Sequence, residues 1–231
     1  WITQNLHASI SSVLTGLFVN LGRGYPNPLN NFLSNGFMAK YQTIIKGIFA
    51  DESGGRSTGW VGVNDGKIAY VDCGNPPSHY CDELLEFDDG CIILPGFVDP
   101  HVHCREPGIG AYKEDWYTLG LAAAHGGVTT IATMPNYGKG NSVITKERLE
   151  KVIGLSKKCI VDARFWAGLC PENLGNLDGM SHPLVVGYKG FTTDFDPELT
   201  FPRGDKDFFE HLRYAIEQVA NFSTRSQLDI N

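Results

Sequence analysis

The sequence predicts an α/β fold in which parallel strands alternate with crossover helices, set behind a smaller layer of antiparallel strands. Three observations lead there. From Gly96 onward short apolar runs alternate with helical patterns, an order that makes strands parallel and lays helices on their faces. Before Gly96 the apolar runs follow one another without helices, and two of them are joined by Asp65-Gly66, a hairpin signal. The Gly-rich fingerprint of a dinucleotide-binding sheet is missing, which leaves a (β/α)8 barrel or an open doubly wound sheet as the parallel architecture.

Taken in order, residues 1–38 read as an extension, 39–96 as a small antiparallel β domain and 97–231 as the parallel domain. The β domain contains "QTIIKGIFA", a turn at "DESGGRSTG", the hairpin "WVGVNDGKIAYVDC" and "ELLEFDDGCIILPGFVD". The parallel domain runs through strand "FVDPHVHCR", a helix near "DWYTLGLAAAHGG", strand "VTTIATMP" and a helix near "TKERLEKVIGLSKK". It continues with strands "IVDARFWAGL" and "LVVGYKGF" and a helix near "DKDFFEHLRYAIEQVAN". A complete barrel needs on the order of 250 residues, so this reading gives about half of one, and the polypeptide is expected to continue past Asn231. Half a barrel alone, with open sheet edges, is expected neither to fold stably nor to turn over substrate.

Composition narrows the partners. At 231 residues and 42% hydrophobic content the chain can bury a sizeable core. A net charge of -7 and a pI near 5.4 argue against nucleic acid or an anionic membrane, which reward clustered Lys and Arg. Small molecules are the expected ligands, and a homo-oligomer is compatible with the composition. Six scattered cysteines without a C-x-x-C pair fit packing thiols in a reducing compartment, so the expected location is the cytoplasm. No Asp or Glu precedes Asp51 and the segment is Ser-rich, which also fits an organellar transit peptide in 1–38. Its apolar run is too short for a span of about 20 residues.

The chemistry gathers in "ILPGFVDPHVHCREPG", Ile93 to Gly108, where Asp99, His101, His103 and Arg105 alternate. On a strand these four project to one face, and burying them without partners would cost roughly 2–7 kcal/mol per polar group. His101-x-His103 suits two nitrogen ligands on one metal, and the end of a first barrel strand is where such barrels build their sites. A hydrogen-bonded histidine pair remains the plainer reading of the spacing alone. Arg105 reads either as a fork for a carboxylate or as an ion-pair partner of Glu106 or Asp115. Asn136 reads either as a ligand-binding amide or as a turn residue after Pro135.

These motifs, "PGFVDPHVHCREPG", "YKEDW" and "AAAHGGVTTIATMPN", together resemble the dihydroorotases, cyclic amidohydrolases of the amidohydrolase superfamily. The resemblance runs from about Ala39 to the end and is strongest from Pro95 to Asn136. It implies a (β/α)8 metal-dependent amidohydrolase barrel, its first half present here, preceded by part of a small β-sandwich. It further implies that His101 and His103 bind zinc and that Arg105 and Asn136 hold the substrate carboxylate. By the same resemblance Lys189, in "VVGYKGF", is a carbamylated lysine bridging two zinc ions. The implied reaction is the reversible cyclisation of N-carbamoyl-L-aspartate to dihydroorotate in pyrimidine biosynthesis. The family's further histidines and its general-base aspartate belong to later strands, so no catalytic residue is expected within this chain. After "MPN" the Thr and Pro usual in the family are missing. An allantoinase, a dihydropyrimidinase or hydantoinase-like enzyme, or an inactive relative acting as a structural partner are the rival readings.

His125 is expected to cap a helix end before Gly126-Gly127, and Asp99 to orient the site from behind its ligands. His79, His182 and His211 stand outside any ligand spacing.

Overall fold

A computed structural model describes residues 40–50, 54–77, 80–173, 177–191 and 196–201, with positions 213 and 217. The chain divides into two compact units between Phe97 and Val98. The extension 1–38 lies outside the described residues, as does the helix expected over 205–221. Of that helix only Arg213 and Glu217 are described, both helical and paired at 3.6 Å.

The first unit is a five-stranded sheet of β1 (Tyr41–Ala50), β2 (Arg56–Asn64), β3 (Lys67–Cys73), β4 (Cys81–Glu86) and β5 (Ile92–Ile93). Asp65 and Gly66 both adopt positive φ, 50° and 69°, which is the twist a two-residue hairpin turn requires. The apolar face collects Ile45, Val61 and Val63 against Phe49, Ile68, Val71 and Leu85. The sheet is mixed, where the sequence reading made it antiparallel throughout. β1 is antiparallel to β2 but parallel to β4 and β5. The hairpin β2–β3 takes one edge of β1, and the chain leaving β3 pairs next on the other edge, running with β1 instead of against it.

The second unit holds β6 (Phe97–Val102), α1 (Trp116–His125), β7 (Val128–Thr133), α2 (Lys146–Ser156), β8 (Asp162–Gly168) and β9 (Val185–Lys189). Its sheet order is β6-β7-β8-β9, with β7, β8 and β9 parallel. Each new strand adds beside the last, the stepwise order of a barrel; a doubly wound sheet reverses its order at a switch point. Phe165 and Ala167 of β8 enter a core with Trp116, Leu119, Ile131, Leu149 and Val152. Trp166 between them turns to the opposite face and donates its indole N–H to the Pro100 carbonyl at 2.9 Å.

Both helices start where their capping residues put them. Asp115 accepts from the Thr118 N–H at 2.8 Å while the Thr118 hydroxyl closes a capping box. α1 ends at Gly126, and His125 holds the Leu121 carbonyl through Nδ1 at 2.8 Å, in its expected place at the helix end. Thr145 caps α2 by accepting from the Arg148 N–H. Thr145→Ala is expected to lower stability by about 1 kcal/mol, read as a shifted midpoint in urea with an unchanged slope. Among the described residues no helix is long and apolar enough to cross a membrane.

Candidate metal and anion site at the strand ends

β6 stops at Val102, three residues short of the strand read to Arg105. The reason is local. Cys104 drops into the core, 2% exposed, and the chain then turns, with the Gly108 N–H donating to the Arg105 carbonyl at 2.8 Å. His101 therefore sits on the strand, while His103 and Arg105 sit on the loop that leaves it. The two imidazoles still face each other, with ring centroids 5.4 Å apart and planes tilted by 55°. Asp99 accepts from the backbone N–H of His101 at 3.0 Å, so it braces the strand and holds neither ring.

His103 is half-buried, and its Nδ1 is fully enclosed without a hydrogen-bond partner. Such an orphan is costly unless a ligand takes it. Burial, then the charges of Arg105, His101 and Lys189, hold the His103 pKa below its ordinary value. A neutral imidazole with an open nitrogen is the form that binds zinc, so the donors present fit that metal. Among the described residues no cluster of three or more His, Cys, Asp or Glu completes a centre. Lys189, the last residue of β9, is near enough to act on His103. Its ammonium lies 5.2 Å from the centre of the Phe191 ring, and no described acid pairs with it.

Asn136 follows β7, and its Oδ1 is likewise buried without a partner. A half-turn of the amide exchanges this acceptor for a donor, so the group suits either end of a polar ligand. Its backbone is set from several sides. The Met134 N–H reaches the Val102 carbonyl at 2.8 Å, the Val143 N–H reaches the Pro135 carbonyl at 2.9 Å, and the Tyr137 hydroxyl donates to Thr133 at 3.1 Å. A Cβ at position 108 would lie 2.0 Å from the Tyr137 carbonyl oxygen. Only glycine permits that approach, and it packs the Arg105 loop against the Asn136 segment.

Arg105 is exposed, and its stem lies over Gly110. No described residue forms an ion pair with it. Glu106 and Asp115, the acids that the sequence offered as its partners, both go to Lys158, at 2.8 Å and 3.3 Å. Glu106 also accepts from the Trp116 N–H at 3.3 Å. No motif pointed to Lys158, which stands 52 positions from Glu106.

The segment after Asn136, which lacks the family's Thr and Pro, is held by other means. The fully buried Ser142 hydroxyl donates to Asp196 at 3.1 Å. Glu198 accepts from the Gly140 N–H at 3.0 Å, the Ser142 N–H at 3.3 Å and Arg148 at 3.3 Å. His182 accepts from the Leu184 N–H through Nδ1. His79 and His211 lie outside the described residues. All six cysteines are free thiols; Cys104 and Cys170 are buried, as packing thiols should be, whereas Cys73 and Cys91 are exposed and do not pack.

Residues 90–161 match a family model described as dihydro-orotase-like. The chain is 45% identical over 131 residues to a dihydroorotase of Methanothermobacter thermautotrophicus, covering 57% of this chain and 28% of that protein. It is 32% identical over 154 residues to an allantoinase of Bacillus velezensis, covering 65% of this chain and 32% of that one. The chain thus spans about a third or less of these relatives. An L-hydantoinase structure from Arthrobacter aurescens superposes with a TM-score of 0.65 at 22% identity, covering 79% of this chain and 39% of that chain. With the observed strand order, this likeness establishes the fold as about half of a (β/α)8 barrel preceded by a β-rich region. The matches support the cyclic amidohydrolase family and do not separate dihydroorotase from allantoinase.

Proposed function

We propose that the polypeptide carrying this chain is a zinc-dependent cyclic amidohydrolase, and that its reaction is the reversible interconversion of N-carbamoyl-L-aspartate and dihydroorotate. The observation that carries the proposal is Arg105, without an ion-pair partner among the described residues, beside the His101–His103 pair and on a loop locked to the segment of Asn136. A guanidinium without an internal acid is poised for an external carboxylate, and its planar fork matches that group. Asn136 supplies a second, enclosed polar contact. Together they fix one end of the substrate and so present its ring amide to the imidazole pair; orientation of this kind can lower a barrier by roughly 7–11 kcal/mol at most.

In this proposal His101 and His103 hold the metal, with Lys189 as the third donor once carbamylated. When bound, zinc supplies Lewis acidity at a carbonyl and acidifies water. The part of Arg105 is to bind and orient. The general base is assigned to no described residue.

A second reading, allantoinase, is favoured by relatives of that name. It concerns the same site and another ring. The discriminating measurement is kcat/KM of the enzyme for dihydroorotate, allantoin and dihydrouracil side by side. Dihydroorotate is expected to lead; a lead for allantoin transfers the proposal to the second reading.

A further inference from the structure

Lys158 stands just after α2, outside every motif of the sequence, yet its ammonium reaches two acids at the rim of the candidate site. It meets Glu106 Oε2 at 2.8 Å and Oε1 at 2.9 Å, and Asp115 Oδ2 at 3.3 Å. Hydrogen bonding to Glu106, then to Asp115, raises the pKa of the ammonium above its ordinary value. Glu106 is the covalent neighbour of Arg105, its side chain is only 18% exposed, and its second contact is the first N–H of α1. Asp115 is the N-cap of that same helix. One lysine thereby ties the Arg105 loop to the start of α1.

The consequence reaches Arg105. Glu106 adjoins Arg105 in the chain, and a carboxylate released there can compete for the guanidinium through a charge-assisted contact. Here both carboxylates are already engaged, and Arg105 keeps no described ion-pair partner. We propose that Lys158 is a positioning residue that holds Glu106 and Asp115 away from Arg105, leaving the guanidinium free for the carboxylate of the substrate. The proposal rests on the carboxylate-binding reading of Arg105 given above.

The test is steady-state kinetics on the active enzyme with dihydroorotate. Lys158→Met is expected to raise KM about three- to tenfold with kcat little changed, since a released acid competes for Arg105 with the strength of a partly exposed ion pair. Lys158→Arg should restore KM. Adding Glu106→Gln to Lys158→Met should bring KM back toward the wild-type value, because the competing charge is gone. A lysine that mattered only for stability would behave oppositely, since the second substitution removes one more contact. An unchanged KM in Lys158→Met, or a double variant no better than the single one, overturns the proposal. Arg105→Met run alongside separates the failures. Intact dihydroorotate turnover in that variant sinks the carboxylate reading and the Lys158 proposal with it. Impaired turnover there with an unchanged KM in Lys158→Met sinks the Lys158 proposal alone.

Discussion

Arg105→Met is expected to leave the zinc content of the enzyme unchanged while dihydroorotate turnover collapses. The methionine preserves the apolar stem that lies over Gly110 and removes only the charged fork. A charge-assisted contact of this kind is worth about 1.5–3 kcal/mol, so kcat/KM should fall roughly ten- to a hundredfold. His101→Ala should behave differently. It deletes one of two imidazoles whose rings face each other, and metal and activity should be lost together. Zinc per chain by atomic spectroscopy, set beside turnover, distinguishes the two behaviours. Near-normal dihydroorotate turnover in the methionine variant, or zinc fully retained in the alanine variant, would remove the roles assigned to these side chains.

Trp116→Ala should have the largest effect on stability. The residue is 0% exposed and its ring lies 5.7 Å from that of Phe165 at an interplanar angle of 58°. Truncating a buried aromatic of this size costs about 3–5 kcal/mol, a large share of the roughly 5–15 kcal/mol that a domain commonly has. One detail sharpens the expectation. The Trp116 Nε1 is buried without a partner, so part of what the ring gains by burial is spent on an unmade hydrogen bond. Trp116→Phe keeps an aromatic face against Phe165 and removes the orphan donor, and should therefore cost much less than alanine. Denaturant midpoints of the two variants provide the check. Equal losses would show that a phenyl ring recovers none of the packing of Trp116 against Phe165 and overturn the expectation.

Much of this molecule is written in local signals. Asp65-Gly66 announces its hairpin because those two residues tolerate the positive φ that the turn imposes. Asp115 and Thr145 announce the starts of α1 and α2 because a side-chain oxygen one turn away satisfies a free N–H. The pair His101 and His103 is visible because a strand returns to the same face every second residue. The early end of β6 falls between the two histidines, yet their ring centroids stay 5.4 Å apart.

Other features depend on contacts between distant parts of the chain. The parallel pairing of β4 with β1 is a choice between two sheet edges, and nothing within either strand makes it. The segment after Asn136 is held by Asp196 and Glu198, more than fifty positions away, so its shape could not be judged from a missing Thr and Pro.

By itself, then, the sequence determined the α/β order, the hairpin, the helix caps and the side chains proposed here as metal and anion donors. Each of these depends on dihedral preferences and hydrogen bonds within a few residues. Tertiary structure alone decided which charge is spent and which is free. Glu106 and Asp115 were open to Arg105 or to any of several lysines, and in sequence the nearest candidates were Arg105 for Glu106 and Lys113 for Asp115. Packing of the turn after α2 against the start of α1 gave both acids to Lys158. The energy of an ion pair depends on distance in space and on solvent exclusion, and neither is defined until the chain has folded.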